Sequence, residues 1–262
     1  MSHSHHERNT LIRRRVTQPK HCEAGLALSY RKGADVADKF DKFVLGLDLD
    51  GCVADFLQSM REVFAEWSGQ PIETLHPSPR YGFPEWDLDM VQYRRLHRFA
   101  VTQRDLFAKM QPVAGAPQAL RRLSAEGVHI RIATHRLFIP YFHEPAASQT
   151  IRWLELHGIP YRDLCLIEDK AAVRADVFVE DSAGNIARLQ AHGVDVLCFT
   201  NPSNVSEQVT APRAVNWTEA EEFVRERYYQ WRIARGLQLP PAPGQAPPDE
   251  DIAQPNELRS DE

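Results

Sequence analysis

The chain has 262 residues, 43% of them hydrophobic, enough to bury the core of one large domain or of a domain carrying a smaller insertion. No apolar run reaches the ~20 residues that span a bilayer, and Arg13, Arg14 and Arg15 are not followed by the apolar segment of a secretory signal, so a membrane span is excluded and a cytoplasmic location expected. The formal charge of −5 sits in residues 237–262, which hold six acids against the one base Arg259; the neutral remainder is not built to coat nucleic acid.

From the start of the chain, residues 1–40 are polar and mildly basic and read as an N-terminal arm, in which His3, His5 and His6 belong to a solvated terminus. A strand follows in FVLGLDLDGCVADF, residues 43 to 56, whose apolar run ends by crowding Asp48, Asp50 and Asp55 together. Carboxylates a few ångströms apart raise one another's pKa unless a cation offsets them, so positive charge belongs there. Asp55 reads as the cap of the next helix. Residues 56–110 are too long for a loop between a strand and its helix and read as a small helical cap inserted after strand one.

Beyond the cap, a helix-like stretch closes on glycine and a short β-branched run follows, three times: ALRRLSAEG then VHIRIAT, TIRWLELHG then IPYRDLCLI, NIARLQAHG then VDVLCFT. Gly127, Gly158 and Gly193 stand where a left-handed residue ends a helix, and Pro117 stands near a helix start. With FVLGLD and DVFVED, at least five strands are expected in an α/β fold, a parallel sheet with helices on both faces. Its core is expected over 41–55 and 111–236. A last helix is expected from Thr218, with Glu221 completing a capping box, to about Gly236. Residues 237–262, with six prolines and the acid cluster, read as a disordered tail. Cys22, Cys52, Cys165 and Cys198 show no metal-ligand spacing and read as reduced thiols.

In an open parallel sheet ligands bind beyond the carboxyl ends of the strands. Those ends carry Asp48-Leu49-Asp50, Thr134 closing HIRIAT, and Glu180-Asp181 closing DVFVED, with Lys170 before the last in LIEDKAAVRAD. This ordered set resembles the haloacid dehalogenase (HAD) superfamily of aspartate-nucleophile phosphohydrolases, with a Rossmannoid sheet. DLDGCVADF, LFAKMQPVAGAPQAL and DKAAVRADVFVEDS are similar, over about residues 43 to 200, to the 5′(3′)-deoxyribonucleotidase family. The resemblance implies a phosphatase in which Asp48 attacks phosphorus, Asp50 is general acid and base, Thr134 bonds a phosphoryl oxygen, Lys170 neutralises charge and holds the nucleophile, and Mg²⁺ lies on Asp48, the Asp50 carbonyl and Asp181. His135 is a further phosphate contact or a space filler. It stands where the family usually has a small residue, and Glu180, read as a support, where it has aspartate.

Other readings stay open at this level. Asp48 and Asp50 with Gly51 could simply end a strand in a turn, and Lys170 alone suits a solvated loop. Most of the cap aromatics suit the cap's own core; Tyr81, Phe83 and Trp86, in the turn-like PRYGFPEW, are expected to face a nucleobase, and Phe83 and Trp86 are taken as substrate-binding. Arg94, Arg95 and Arg98 read as a solvated face. The expected substrate is a small phosphomonoester, a nucleoside monophosphate first and a sugar phosphate second; a vestigial phosphate-binding protein is the third reading. No stable nucleic-acid partner is expected, and the oligomeric state is left open, a homodimer included.

Overall fold

A computed structural model describes residues 42–138, 140 and 142–241. The expected arm and most of the expected tail lie outside these residues. Six strands form one parallel sheet: β1 (Val44–Leu47), β2 (His129–Thr134), β3 (Asp163–Leu166), β4 (Val177–Glu180), β5 (Asp195–Phe199) and β6 (Arg213–Ala214). Their spatial order is β3-β2-β1-β4-β5-β6. The chain thus winds outward from β1 to β3, crosses back beside β1, and winds outward the other way. Asp48 follows β1 and Asp181 follows β4, so both lie at the point where the winding reverses, the crevice in which such sheets bind ligands.

Alternation along the strands builds two cores. Leu45, Leu47, Ile130, Ile132, Val177, Val179, Leu197 and Phe199 face one side, while Ala133, Phe178, Val196 and Cys198 face the other. Gly46 is paired with Phe178 across the β1–β4 register, and a Cβ at 46 would lie 2.3 Å from the Phe178 ring; the glycine admits that ring over the centre of the sheet. One face is covered by α4 (Ala116–Ala125) and α7 (Trp217–Ala234), the other by α6 (Ala183–Ala191). Glycines 127, 158 and 193 all have positive φ after their helices.

Between β1 and α4 lie α1 (Phe56–Ser68), two 3₁₀ turns (Ile72–Thr74 and Pro84–Trp86), α2 (Met90–Arg104) and α3 (Leu106–Lys109). Asp55 caps α1, its carboxylate accepting from the Gln58 amide at 3.2 Å. The two ends of this segment are tied together: Asp55 N donates to Gln111 O at 2.9 Å and Val113 N to Val53 O at 2.7 Å. Met60, Phe64, Tyr93 and Leu96 of the segment belong to the same buried cluster as Leu45 and Leu47, so its core continues into that of the sheet. It also meets α5 (His143–Leu156), where Gln149 Nε2 donates to Val101 O at 2.9 Å.

The last helix departs from expectation. Asn216, not Thr218, is its cap: the Asn216 side chain accepts from Glu219 N, and the Glu219 carboxylate reaches back to Val215 N at 2.9 Å. Glu221 completes no capping box because it is buried between α7 and α4, where it pairs with Arg122 and Arg225 at 2.5 Å each. Short β6 carried too little periodicity to be read from sequence.

Candidate active site

The turn after β1 sets the site. Asp48 N donates to Val179 O, which continues the β1–β4 ladder one residue past the strand, and Ala54 N and Val53 N both close on Leu49 O. Gly51 has φ 85°, and a Cβ there would lie 2.1 Å from Asp181 Oδ2, so the turn requires both the left-handed backbone and the missing side chain. The indole of Trp217, the first residue of α7, donates to Cys52 O at 2.8 Å and pins the turn from behind.

Asp48, Asp50, Thr134, His135, Lys170, Glu180 and Asp181 all border one cavity of about 470 Å³. Lys170 opens a 3₁₀ turn (Lys170–Val173) and is buried; its Nζ lies 2.8 Å from Asp48 Oδ1 and 2.6 Å from Glu180 Oε2. Glu180, fully buried, is fixed in turn by Ser182 N and Asn185 Nδ2, so it orients the lysine. Burial would depress the Lys170 ammonium, but Asp48 and Glu180 outweigh it and hold its pKa above the ordinary value. Thr134 is buried at the end of β2, whereas His135 is exposed at the cavity edge, its pKa lowered by partial burial.

Asp181 receives Asn201 Nδ2 at 2.7 Å on Oδ2, and Ser203 N and Oγ donate to Asn201 Oδ1, which turns the amide NH₂ toward the carboxylate. Asn204 Nδ2 holds the Asp181 carbonyl at 2.8 Å. Burial, with Asp48 and Glu180 adding to it, pushes the Asp181 carboxyl well above the usual carboxylate range, and burial likewise raises Asp48 despite Lys170. Asp48, Cys52 and Asp181 bring ligand atoms within 4.8 Å of one another. Burial pushes the Cys52 thiol up, keeping it protonated, which leaves the two carboxylates as the hard donors. Six carboxylates (48, 50, 168, 180, 181, 207) border the cavity against three cations, Lys170, Arg136 and Arg188, of which Lys170 and Arg136 are already paired, and this excess of negative charge fits a divalent ion on oxygen ligands.

Sequence reasoning missed Arg136. Its side chain is completely buried and forks Asp50, Nη2 to Oδ1 at 2.6 Å and Nε to Oδ2 at 3.1 Å, while Nη1 donates to Thr150 Oγ1 and the guanidinium lies 4.2 Å from the centre of the Phe107 ring. Arg136 lies two residues past Thr134 at the same strand end, so the rule that drew attention to Thr134 points to it as well, and the same rule at the end of β5 points to Asn201.

The other end of the cavity is aromatic. Phe56, Tyr81, Phe83, Tyr93, Phe107 and Phe138 line it, with His97. Trp86, expected to face the substrate, does not line it: the indole stacks on Phe64 at 5.0 Å and 10°, donates to His76 O at 3.0 Å, and serves as core of the inserted segment. Phe83 is buried yet lines the cavity, with a left-handed backbone at φ 59°.

The six-stranded parallel sheet, with Asp48 and Asp181 at its switch point, has a counterpart among solved structures. A haloacid dehalogenase-like family hydrolase from Streptococcus pneumoniae shares this fold, with a TM-score of 0.50 at 13% identity over 70% of this chain and 98% of its own. The model of the family described as "5' nucleotidase, deoxy (Pyrimidine), cytosolic type C protein" matches residues 42–229, and the chain belongs to that family. It is also 45% identical over 186 residues, 71% of this chain and 91% of the relative, to a Chlorobaculum tepidum protein that bears the name "Putative 5'(3')-deoxyribonucleotidase". The chain is accordingly a phosphatase of the nucleotidase type. No helix among the described residues is long and apolar enough to cross a membrane.

Proposed function

We propose that the chain hydrolyses a nucleoside monophosphate with Mg²⁺, through a phosphoryl-enzyme on Asp48. The observation that carries this reading is a cavity with two ends. One holds Asp48, clamped by Lys170, opposite an Asp181 that among the described residues forms no ion pair with a side-chain cation; the other is aromatic. Asp48 and Asp181, with the Asp50 carbonyl, would hold the ion, and when bound it neutralises phosphoryl oxygens.

In this reading Lys170 and Thr134 take the phosphoryl oxygens, with His135 at the edge. An Asp48 oxygen attacks phosphorus in line, and the bond from phosphorus to the ester oxygen breaks. Asp50 protonates the departing oxygen, then accepts a proton from the water that attacks the aspartyl-phosphate, releasing phosphate and restoring Asp48. Arg136 occupies one lone pair on each Asp50 oxygen, which leaves others for that transfer and fixes where they point. Phe83, Tyr81 and their neighbours meet the nucleoside. Free Cys52, Cys165 and Cys198 support action in the reducing cytoplasm.

Hydrolysis of a panel of phosphomonoesters, with and without Mg²⁺, tests the reading. Nucleoside monophosphates should lead the panel and Mg²⁺ should be required; a sugar phosphate in front would move the activity to another small metabolite. Asp48→Asn should fold and lose nearly all turnover, and the wild type should bind beryllium fluoride with Mg²⁺. Turnover near wild type in that variant would remove the covalent mechanism.

A further inference from the structure

Among the described residues that line the cavity, His97 carries the one enclosed side-chain polar atom without a partner. It lies on α2, is 2% exposed and lines the cavity; its Nδ1 is enclosed without a hydrogen-bond partner, and its Nε2 makes no hydrogen bond within the described residues either. Its ring neighbours are aromatic: Phe56, Tyr93, Phe107, Phe138 and Phe142, at centroid distances from 5.0 to 6.1 Å. The large majority of buried side-chain polar groups are bonded, so an imidazole that borders a ligand cavity with neither nitrogen bonded marks a place for a ligand atom, at the nitrogen not shut inside the protein. Burial drops the His97 pKa to about 4, so the ring is neutral at neutral pH and offers one donor and one acceptor.

Its position says which part of the ligand it meets. Phe107 packs edge-on with His97 at 5.6 Å and carries the Arg136 guanidinium 4.2 Å from its ring centre, and Arg136 holds Asp50. His97 is thus one ring away from the group assigned to the leaving oxygen. The part of a nucleotide at that depth is the sugar, whose hydroxyls donate and accept as a neutral imidazole does; the base lies further out, toward Tyr81 and Phe83. We infer that His97 is a specificity-determining residue that hydrogen-bonds a sugar hydroxyl of the leaving nucleoside inside an otherwise apolar cage, an inference that rests on the nucleotidase reading above.

The experiment compares wild type and His97→Phe, which keeps the ring and removes its nitrogens, on four substrates of one base: the ribo-, 2′-deoxy-, 3′-deoxy- and 2′,3′-dideoxynucleoside 5′-monophosphates, with para-nitrophenyl phosphate as a substrate lacking the sugar. In the wild type, loss of one particular hydroxyl should lower kcat/KM about tenfold, because the imidazole is then left unpaired. In the variant that ratio should fall below about twofold while para-nitrophenyl phosphate is hydrolysed as before. His97→Leu carries the same expectation if His97→Phe does not fold. Four equal rates in the wild type overturn the inference, as does a wild-type ratio that survives in the variant, or a parallel loss on para-nitrophenyl phosphate, which would make the ring a packing element. A wild type that prefers no nucleotide over the generic ester overturns the nucleotidase reading and this one with it, a result distinct from nucleotide preference without hydroxyl discrimination.

Discussion

Arg136 is more deeply enclosed than the Asp50 carboxylate it forks, with side-chain exposures of 0% and 24%. Such a pair is sensitive to loss of either partner, because the survivor stays desolvated without its counter-charge. Arg136→Met should lower kcat on the order of a hundredfold by freeing Asp50 to rotate and should cost about 2–4 kcal/mol in urea unfolding. Arg136→Lys keeps the charge but not the fork and should retain more stability than activity. Wild-type turnover in either variant would detach Arg136 from the chemistry. Two adjacent carboxylates separate in the same way. Glu180 anchors Lys170 whereas the Asp181 carboxylate is held by the Asn201 amide, so Asp181→Asn should raise the Mg²⁺ concentration for half-maximal rate far more than Glu180→Gln. The opposite order would exchange their roles.

At the scale of elements, the inserted segment works as both core and cavity wall, and two nearby aromatics divide the tasks. Trp86 is stacked and hydrogen-bonded inside the segment, so Trp86→Ala should destabilise by about 3–5 kcal/mol and leave the ratio of nucleotide to para-nitrophenyl phosphate hydrolysis nearly unchanged. Phe83 borders the cavity, and Phe83→Ala should shift that ratio by about fivefold or more against the nucleotide, since one base–aromatic contact contributes ~1–3 kcal/mol. Thermal melting and paired kinetics on the two variants read both effects. Equal ratios would make Phe83 a packing residue as well. Because the segment shares its buried cluster with β1, a cavity-forming change in it should also lower the melting temperature of the whole chain in one transition.

Across the whole molecule the same enclosure that orphans His97 ties stability to pH. Its folded-state pKa of about 4 lies below the ordinary 6.5, so on acidification the unfolded chain binds the proton first. The stability contributed by the neutral ring is complete above about pH 7 and is lost as the pH falls from about 6.5 toward 4, a difference of about 3 kcal/mol. Other carboxylates titrate in that window, including Asp48, whose raised pKa acts in the opposite sense, so the measurement is a difference. Urea unfolding of wild type and His97→Phe at pH 7.5 and pH 4.5 should show the variant gaining on the wild type as the pH falls. A constant gap would mean that the ring takes its proton in the folded state.

What could be read along the chain was whatever repeats or falls at a boundary. Glycine-closed helices followed by β-branched runs determined the parallel sheet, and polar residues at strand ends determined Asp48, Asp50, Thr134, Lys170 and Asp181 as candidates, because the carboxyl edge of such a sheet is where side chains escape the core. Asp55 was legible as a cap because its bond is local, three residues away. Glu221 was not, because a local capping pattern lost to two arginines, one of them 99 residues distant. Only the folded chain decided that Arg136 holds Asp50 across 86 positions, that Trp86 turns inward while Phe83 turns to the cavity, and that His97 borders the cavity with its Nδ1 unpaired. Helical spacing places His97 four residues after Tyr93 and marks both as core, which is true of their burial. Whether a buried nitrogen is satisfied depends on the atoms that tertiary packing brings against it, and no local pattern carries that.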